Sequence, residues 1–248
     1  MVLRFLWLFV AFFTLGGVTK AAEIPAVAAA SDLKFALEEI VADFTAETGR
    51  TIRLSFGSSG NFARQIEQGA PFEIFLSADS SYIKRLAKKG LTRDEGISYA
   101  IGRLVIITPK DSSLKLDEKL VGLSEAKINR FAIANPEHAP YGKAAEEALR
   151  AAGLWERLKP HLVLGENVSQ AAQFAAGGST EGGIIAYSLL QAPGVKEKVR
   201  HQLISSDLYK PLDQRMVLMK NAGMNAQLFF DYLQSQSARE IFIRHGFR

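Results

Sequence analysis

Apolar and polar positions along the chain follow two periods in turn. Ile24 to Ala30 is a continuous run of small apolar residues, the pattern of a strand buried on both faces. Leu33, Ala36, Leu37, Ile40, Val41 and Phe44 then recur at helical spacing, with Ser31 where an N-cap belongs and Gly49 where the helix should stop. A second strand at Thr51–Leu54 runs through the small polar turn Ser55–Asn61 into a helix over Phe62–Gln68, closed by Gly69. Phe72–Asp79 is a third strand with a polar end, and a helix through Tyr82, Ile83 and Leu86 follows it to Gly90. Strand and helix in alternation predict an α/β fold with parallel strands wrapped by helices.

The β-branched run Gly102–Pro109 is stopped by proline and predicts a strand that crosses into a second lobe. There the alternation resumes: a strand at Arg130–Ala134, the loop Asn135–Gly142, a helix over Lys143–Ala152, a short strand at Leu162–Leu164, a helix over Ser169–Ala176 and a strand at Gly183–Ser188. Gly177–Gly183 precedes a strand and lacks a lysine, so it reads as a connection and not as a phosphate loop. Gln214–Met219 predicts the return crossing, after which helices over Asn225–Ser235 and on to Phe247 pack on the first lobe. The expected division is a leader over residues 1–22, a first lobe of 23–102 with 214–248, and a second lobe of 103–213.

The leader changes the meaning of the charge. Met1–Arg4 is short and basic, Phe5–Val18 is almost wholly apolar, and Thr19–Ala22 offers small residues for cleavage. At about 14 residues the apolar run falls short of the ~20 that span a bilayer, so it reads as a secretory signal peptide. Its removal takes away Arg4 and Lys20 and no acid, which lowers the formal net charge from +4 to +2. With no basic stripe carrying interleaved aromatics, nothing points to nucleic acid. The 248 residues include no cysteine. Thiolate catalysis, cysteine-ligated metals and iron–sulfur clusters are thereby excluded, and an exported chain of this size must rest on its core alone.

Candidate chemistry lies where strands hand over to helices: Ala30-Ser31-Asp32, Ser58-Ser59-Gly60, Tyr141-Gly142 and Asn167-Val168-Ser169. The first N–H groups of a helix have no acceptor within it, and the helix dipole makes that end mildly positive. Two such junctions from each lobe can converge on one small anion without any lysine or arginine. Hydrogen bonds to a charged group contribute ~1.5–3 kcal/mol each, so about five or six would supply the roughly 8–12 kcal/mol of a micromolar-to-nanomolar ligand. Donors with no acceptor capacity favour a fully deprotonated oxyanion.

These residues carry a resemblance. Ala28-Ala29-Ala30-Ser31, Ser55-Phe56-Gly57-Ser58-Ser59 with Ala63-Arg64-Gln65-Ile66, Gly69-Ala70-Pro71, Leu76-Ser77-Ala78-Asp79, Asn135-Pro136-Glu137-His138 and Ile241-Phe242-Ile243-Arg244-His245-Gly246-Phe247 resemble the periplasmic molybdate-binding proteins of ABC transporters, over essentially all of 23–248. The resemblance implies a two-lobed periplasmic-binding-protein fold of type II, with mixed or parallel sheets flanked by helices. It implies molybdate or tungstate bound in the cleft of a periplasmic monomer and delivered to a membrane permease, with no cofactor. By position it implies that Ser31 and Ser59 each offer a hydroxyl and a backbone N–H, and that Tyr141 and Val168 offer backbone N–H groups. The protein would reach the metal only through the oxygens of the molybdate, by Ser31, Ser59 and Val168. Many members of the family place a ligand-binding tyrosine in the strand matching 184–188. Here that position aligns with Ala186, and Tyr187 is one step off, on the other face of a strand. Tyr141 is therefore preferred to Tyr187 as the phenol donor. The Asp32 carboxylate would repel a dianion, so its side chain is expected to turn toward the first helical turn and solvent.

Other readings differ in class. A serine hydrolase using Ser59 would need the Gly-x-Ser-x-Gly elbow, which Gly57-Ser58-Ser59-Gly60 is not. It would also need a base from His138, His161, His201 or His245, none with an evident carboxylate to orient it, so no enzymatic activity is expected. A sensor role lacks a DNA-binding segment ahead of the fold, and the signal peptide argues against it. Sulfate, phosphate, chromate or thiosulfate are rival cargoes, and sulfate differs from molybdate chiefly in size, which a sequence does not reveal.

Overall fold

In the computed structural model, which describes residues 24–248, strand and helix alternate from the start. β1 (Ala26–Ala30) passes through one 3-10 turn (Ser31–Leu33) into α1 (Lys34–Thr48), β2 (Arg53–Gly57) into α2 (Ser59–Glu67), and β3 (Ile74–Ser77) into α3 (Ser80–Lys88). β1 pairs in parallel with β2 and with β3, which fixes the ends of all three strands on one side of the sheet. Every residue of β1 is buried, which is why it reads as an unbroken run of small apolar residues. Gly49, at φ 67°, stops α1 in the left-handed conformation that costs a glycine least.

β4 (Ile97–Gly102) and β5 (Leu104–Pro109) are separated by Arg103 alone, yet they lie in different sheets. After α4 (Val121–Glu125), the second sheet is built from β6 (Phe131–Ala134), β7 (Leu162–Gly165), β8 (Gly183–Ala186) and β9 (Val199–Leu203), with α5 (Pro140–Ala151), α6 (Trp155–Leu158) and α7 (Val168–Ala176) between them. β10 (Leu212–Leu218) then returns to the first sheet, followed by α8 (Met224–Tyr232) and α9 (Gln236–Arg244). The two five-stranded sheets run β2-β1-β3-β10-β4 and β7-β6-β8-β5-β9. In each, antiparallel strands join an otherwise parallel set. The architecture is a two-lobed α/β fold.

Several elements depart from the pattern reading. β2 extends to Gly57, because pairing with β1 continues to Ala30–Gly57. α2 begins at Ser59 and α5 at Pro140, each about one turn ahead of its first periodic apolar residue. Proline is well suited to that first helical position, where its missing N–H would have no acceptor. β4 and β9 have no counterpart in the hydrophobic pattern. Both are edge strands with one neighbour, so neither needs a continuous apolar run. The signal peptide assigned to residues 1–22 lies outside the described residues.

The return segment is held to the first lobe by aromatic packing. Phe44 of α1 meets Phe229 and Tyr232 of α8 edge-on at 5.1 and 5.2 Å between ring centroids. His245, just past α9, bonds through Nε2 to the Glu39 carboxylate of α1 at 2.8 Å. Truncating Phe44 to alanine would leave a cavity at a point that joins α1 to α8. Phe44→Ala is expected to lower stability by about 3–5 kcal/mol in urea unfolding, with the chain still folded at room temperature. A loss under 1 kcal/mol would mean that α8 is not held by this contact.

Candidate functional site

All four strand-to-helix junctions meet at one cavity. Its wall includes Ala30, Ser31 and Asp32 after β1, Gly57, Ser58 and Ser59 after β2, Pro140 and Tyr141 at the start of α5, and Val168 at the start of α7. The cavity leaves room for little more than one water-sized sphere, about 10 Å³, and has no lysine, arginine or histidine in its wall. That is below the ~300–1,000 Å³ of pockets for drug-sized ligands and suits a small ion. A larger open groove of about 470 Å³ lies along β4 and α9, but only residues of one lobe line it.

The two serines present themselves as donors. Ser59 is wholly buried, and its Oγ accepts the Ala78 N–H at 3.0 Å. The Oγ of Ser31 accepts the Ser169 N–H at 3.3 Å. In both cases a backbone donor occupies the oxygen, and the hydroxyl hydrogen has no acceptor among the described residues. Backbone donors accompany them. Ser59 and Val168 open their helices and Tyr141 follows Pro140, so none of their N–H groups has an acceptor within its own helix. The neighbouring caps are filled locally: Ser58 accepts from the Asn61 N–H at 3.4 Å and Asn167 from the Gln170 N–H at 3.1 Å. That leaves the first-turn amides of Ser59 and Val168 unclaimed.

Two side chains sit where the sequence reading did not put them. Asp32 does not turn to solvent. It is 1% exposed, and its Oδ2 accepts the Tyr141 hydroxyl at 3.0 Å and Gln214 Nε2 at 2.6 Å. The 3-10 turn after β1 swings the carboxylate toward β10 and α5, where those two donors offset part of its desolvation. Burial nevertheless pushes its pKa up to about 6. The phenol of Tyr141, preferred above as a ligand donor, is engaged by Asp32, and Tyr141 is part of the cavity wall. Tyr187 is not brought to the cavity. Its ring lies 4.4 Å from the Arg103 guanidinium carbon and packs against Gly246, so it belongs to the crossing between the lobes.

The lobes also touch directly. The Gly60 N–H donates to the His138 carbonyl at 3.0 Å, and Ser58 Oγ lies 2.9 Å from His138 Nδ1. The Ser169 hydroxyl donates to the Ser31 carbonyl at 2.9 Å. Asn61 reaches Glu166 at 3.3 Å. Sequence reasoning found no carboxylate beside any histidine, but Glu166 Oε2 stands 3.6 Å from His138 Nε2. That distance is long for a hydrogen bond, the Glu166 side chain is 68% exposed, and Ser58 serves as a helix cap, so the trio forms a clasp across the rim. His138, Ser169 and Gln214 carry no helical or strand periodicity toward the site, and only the fold brings them there.

Residues 25–248 match the model of a family described as bacterial extracellular solute-binding protein. The molybdate-binding protein of Rhodobacter capsulatus is 40% identical over 92% of this chain and 88% of its own length. That of Escherichia coli is 34% identical over 89% of this chain and 87% of its own. Among solved structures, the periplasmic molybdate-binding protein of Azotobacter vinelandii superposes with a TM-score of 0.83 at 29% identity, covering 90% of this chain and 98% of that one. The sulfate-binding protein SubI of Mycobacterium tuberculosis reaches a TM-score of 0.75 at 16% identity, covering 91% and 86%, which speaks to the fold alone.

Gly60 tests the contact between lobes. A Cβ there would stand 2.5 Å from the His138 carbonyl oxygen and 2.9 Å from the Tyr82 hydroxyl. Alanine suits a helix interior better than glycine, so Gly60→Ala should fold normally while wedging the lobes apart. Small-angle scattering is expected to give a larger radius of gyration than wild type, with hydrogen exchange faster at α2 and the 135–141 loop. An unchanged scattering profile would show that the rim contact does not govern closure.

Proposed function

From the premise that the chain belongs to the bacterial extracellular solute-binding proteins, we propose that it captures molybdate, and tungstate with it, between its lobes and delivers it to the membrane permease of an ABC transporter. The relatives that support this reading are named for molybdate, and the Azotobacter structure is named as periplasmic, the compartment proposed here as well. The working unit we propose is a monomer that performs no chemistry on its cargo, with lobes of 23–102 plus 214–248 and of 103–213.

One observation carries the reading: two buried serine hydroxyls, each with its oxygen already engaged by a backbone donor, face one small cavity with no cation in its wall. Each hydroxyl still has its hydrogen to give, and with the N–H groups of Ser59, Tyr141 and Val168 they form a set of donors drawn from both lobes. A tetrahedral dianion answers that set with four oxygens that only accept. Closing the lobes around it removes water from bonds that are stronger in a low-dielectric surround. The anion then works as a cross-link, since Ser31 and Ser59 hold it from one side and Tyr141 and Val168 from the other.

The first test is a thermal-shift panel with molybdate, tungstate, chromate, sulfate and phosphate. A ligand held only by the folded state raises the melting temperature, and molybdate and tungstate are expected to do so most. A shift with sulfate or phosphate alone would replace the cargo while keeping the site. The second is calorimetry of Ser59→Ala, which loses one charge-assisted bond and is expected to bind molybdate more weakly by ~1–3 kcal/mol. Wild-type affinity in that variant would remove Ser59 from the site.

A further inference from the structure

Asp32 has no part in the donor set just described, yet it forms part of the cavity wall. Its surroundings fix how it can act. Gln214 Oε1 accepts the Tyr99 hydroxyl at 2.7 Å, and this orientation sets the NH₂ of the amide, not its oxygen, against the carboxylate. Gln214 Nε2 therefore donates, to Asp32 Oδ2 at 2.6 Å and to the Tyr141 oxygen at 3.1 Å. Tyr141 in turn donates to the same Oδ2 at 3.0 Å. Both donors converge on one carboxylate oxygen. The other, Oδ1, is buried without a hydrogen-bond partner, the one side-chain atom of the cavity wall in that condition among the described residues. A proton on this acid belongs on Oδ1.

No cation compensates the group. The titratable side chains facing it are Tyr141 from α5 and Tyr99 from β4, both kept neutral because burial, and then the charge of Asp32 itself, push their pKa values well up. Gln214 faces it from β10 without titrating, and Ser188 donates its hydroxyl to the Asp32 backbone carbonyl at 2.8 Å. Beyond this ring, the charge of Asp213 acts on Tyr99, and Arg103 interacts with Tyr141. An ionised Asp32 beside a bound dianion would be two like-charged groups in one dry space, which drives protonation.

We propose that the site takes up its oxyanion together with one proton, held at Oδ1 of Asp32. The proton comes from solvent, the only bond made is O–H, and the net charge added to the closed site falls from two negative to one. The proposal rests on the molybdate reading of the site. Its sign follows from linkage. In the closed site burial raises the acid to about 6, so below that pH Asp32 is already protonated before the anion arrives and binding takes up little. Above it, affinity falls as pH rises, by up to about tenfold per unit, until the acid of the complex itself ionises.

The experiment is isothermal titration of the full chain with sodium molybdate at about pH 6.5 and about pH 7.5, in buffers of different ionisation enthalpy. Wild type is expected to take up close to one proton per anion at the higher pH and to bind up to about tenfold more weakly there than at the lower. Asp32→Asn keeps an acceptor for Gln214 and Tyr141 and puts an NH₂ where the acid carries its proton. It is expected to bind with no proton uptake and no pH slope over the same range. Binding by wild type with buffer-independent heat and flat affinity overturns the proposal and leaves the molybdate reading intact. Uptake that persists in Asp32→Asn also overturns it, by moving the proton to another group such as His138. If Asp32→Asn does not fold, the wild-type uptake and slope decide by themselves. Absence of molybdate binding at either pH fails the cargo assignment and takes the proposal with it.

Discussion

An amide at the start of a helix cannot be satisfied by its own helix, and this chain collects several such amides at one point. The rest of the architecture serves that convergence. β1 and β2 are parallel neighbours, so the turns that follow them emerge side by side, bringing Ser31 and Ser59 together. β6 and β7 are parallel neighbours in the other sheet, and the starts of α5 and α7 emerge side by side in the same way. Facing the two sheets across a cleft turns two pairs of helix starts into one enclosure. Parallel pairing within each lobe is thus a condition of the site as well as of the core, since an antiparallel arrangement would send alternate turns to opposite edges.

The two sheets are joined only by narrow crossings. Arg103 alone separates a strand of one sheet from a strand of the other, and the chain returns by β10. Around Arg103 the guanidinium donates to the Gly246 carbonyl at 2.9 Å through Nε and lies over the Tyr187 ring. This ties the end of the tail to the second lobe at the pivot. Tyr187 stabilises the hinge and Tyr141 bridges the lobes through Asp32, so neither phenol is left over to donate to a ligand. In the site proposed above, the hydroxyl share of the work would fall to Ser31 and Ser59.

How much of this could be read from residues alone follows from what each feature depends on. The alternation, the crossing at 102–109 and the four junctions were legible because burial on two faces and helix-start chemistry leave local marks. β4 and β9 left none, since an edge strand with one neighbour tolerates Ile97-Ser98-Tyr99 or Arg200-His201-Gln202 without a pattern. The placement of Asp32 was read backwards. Charge repulsion suggested solvent, but the deciding partners, Tyr141 and Gln214, stand 109 and 182 residues away along the chain. No local rule reports on such a pair. His138 and Glu166 met for the same reason, through the folding of two loops onto one rim.

A site of neutral donors has a consequence for release that a site built on lysine or arginine would lack. A cationic side chain carries its attraction with it when a cleft opens, and an anion would follow whichever lobe held the charge. Here the attraction is divided among short-ranged hydrogen bonds from both lobes, none of which survives a separation of a few ångströms. Parting the lobes breaks the bonds of one side together and admits water to the other, where exposed hydrogen bonds are worth far less than buried ones. In the site proposed above, tight capture and ready surrender would follow from one arrangement, switched by the distance between Ser31 and Ser59 on one face and Tyr141 and Val168 on the other. A buried acid at the same wall fits this logic, because a proton that enters with the anion leaves with it, and the emptied site returns to a carboxylate that repels whatever dianion it has just let go.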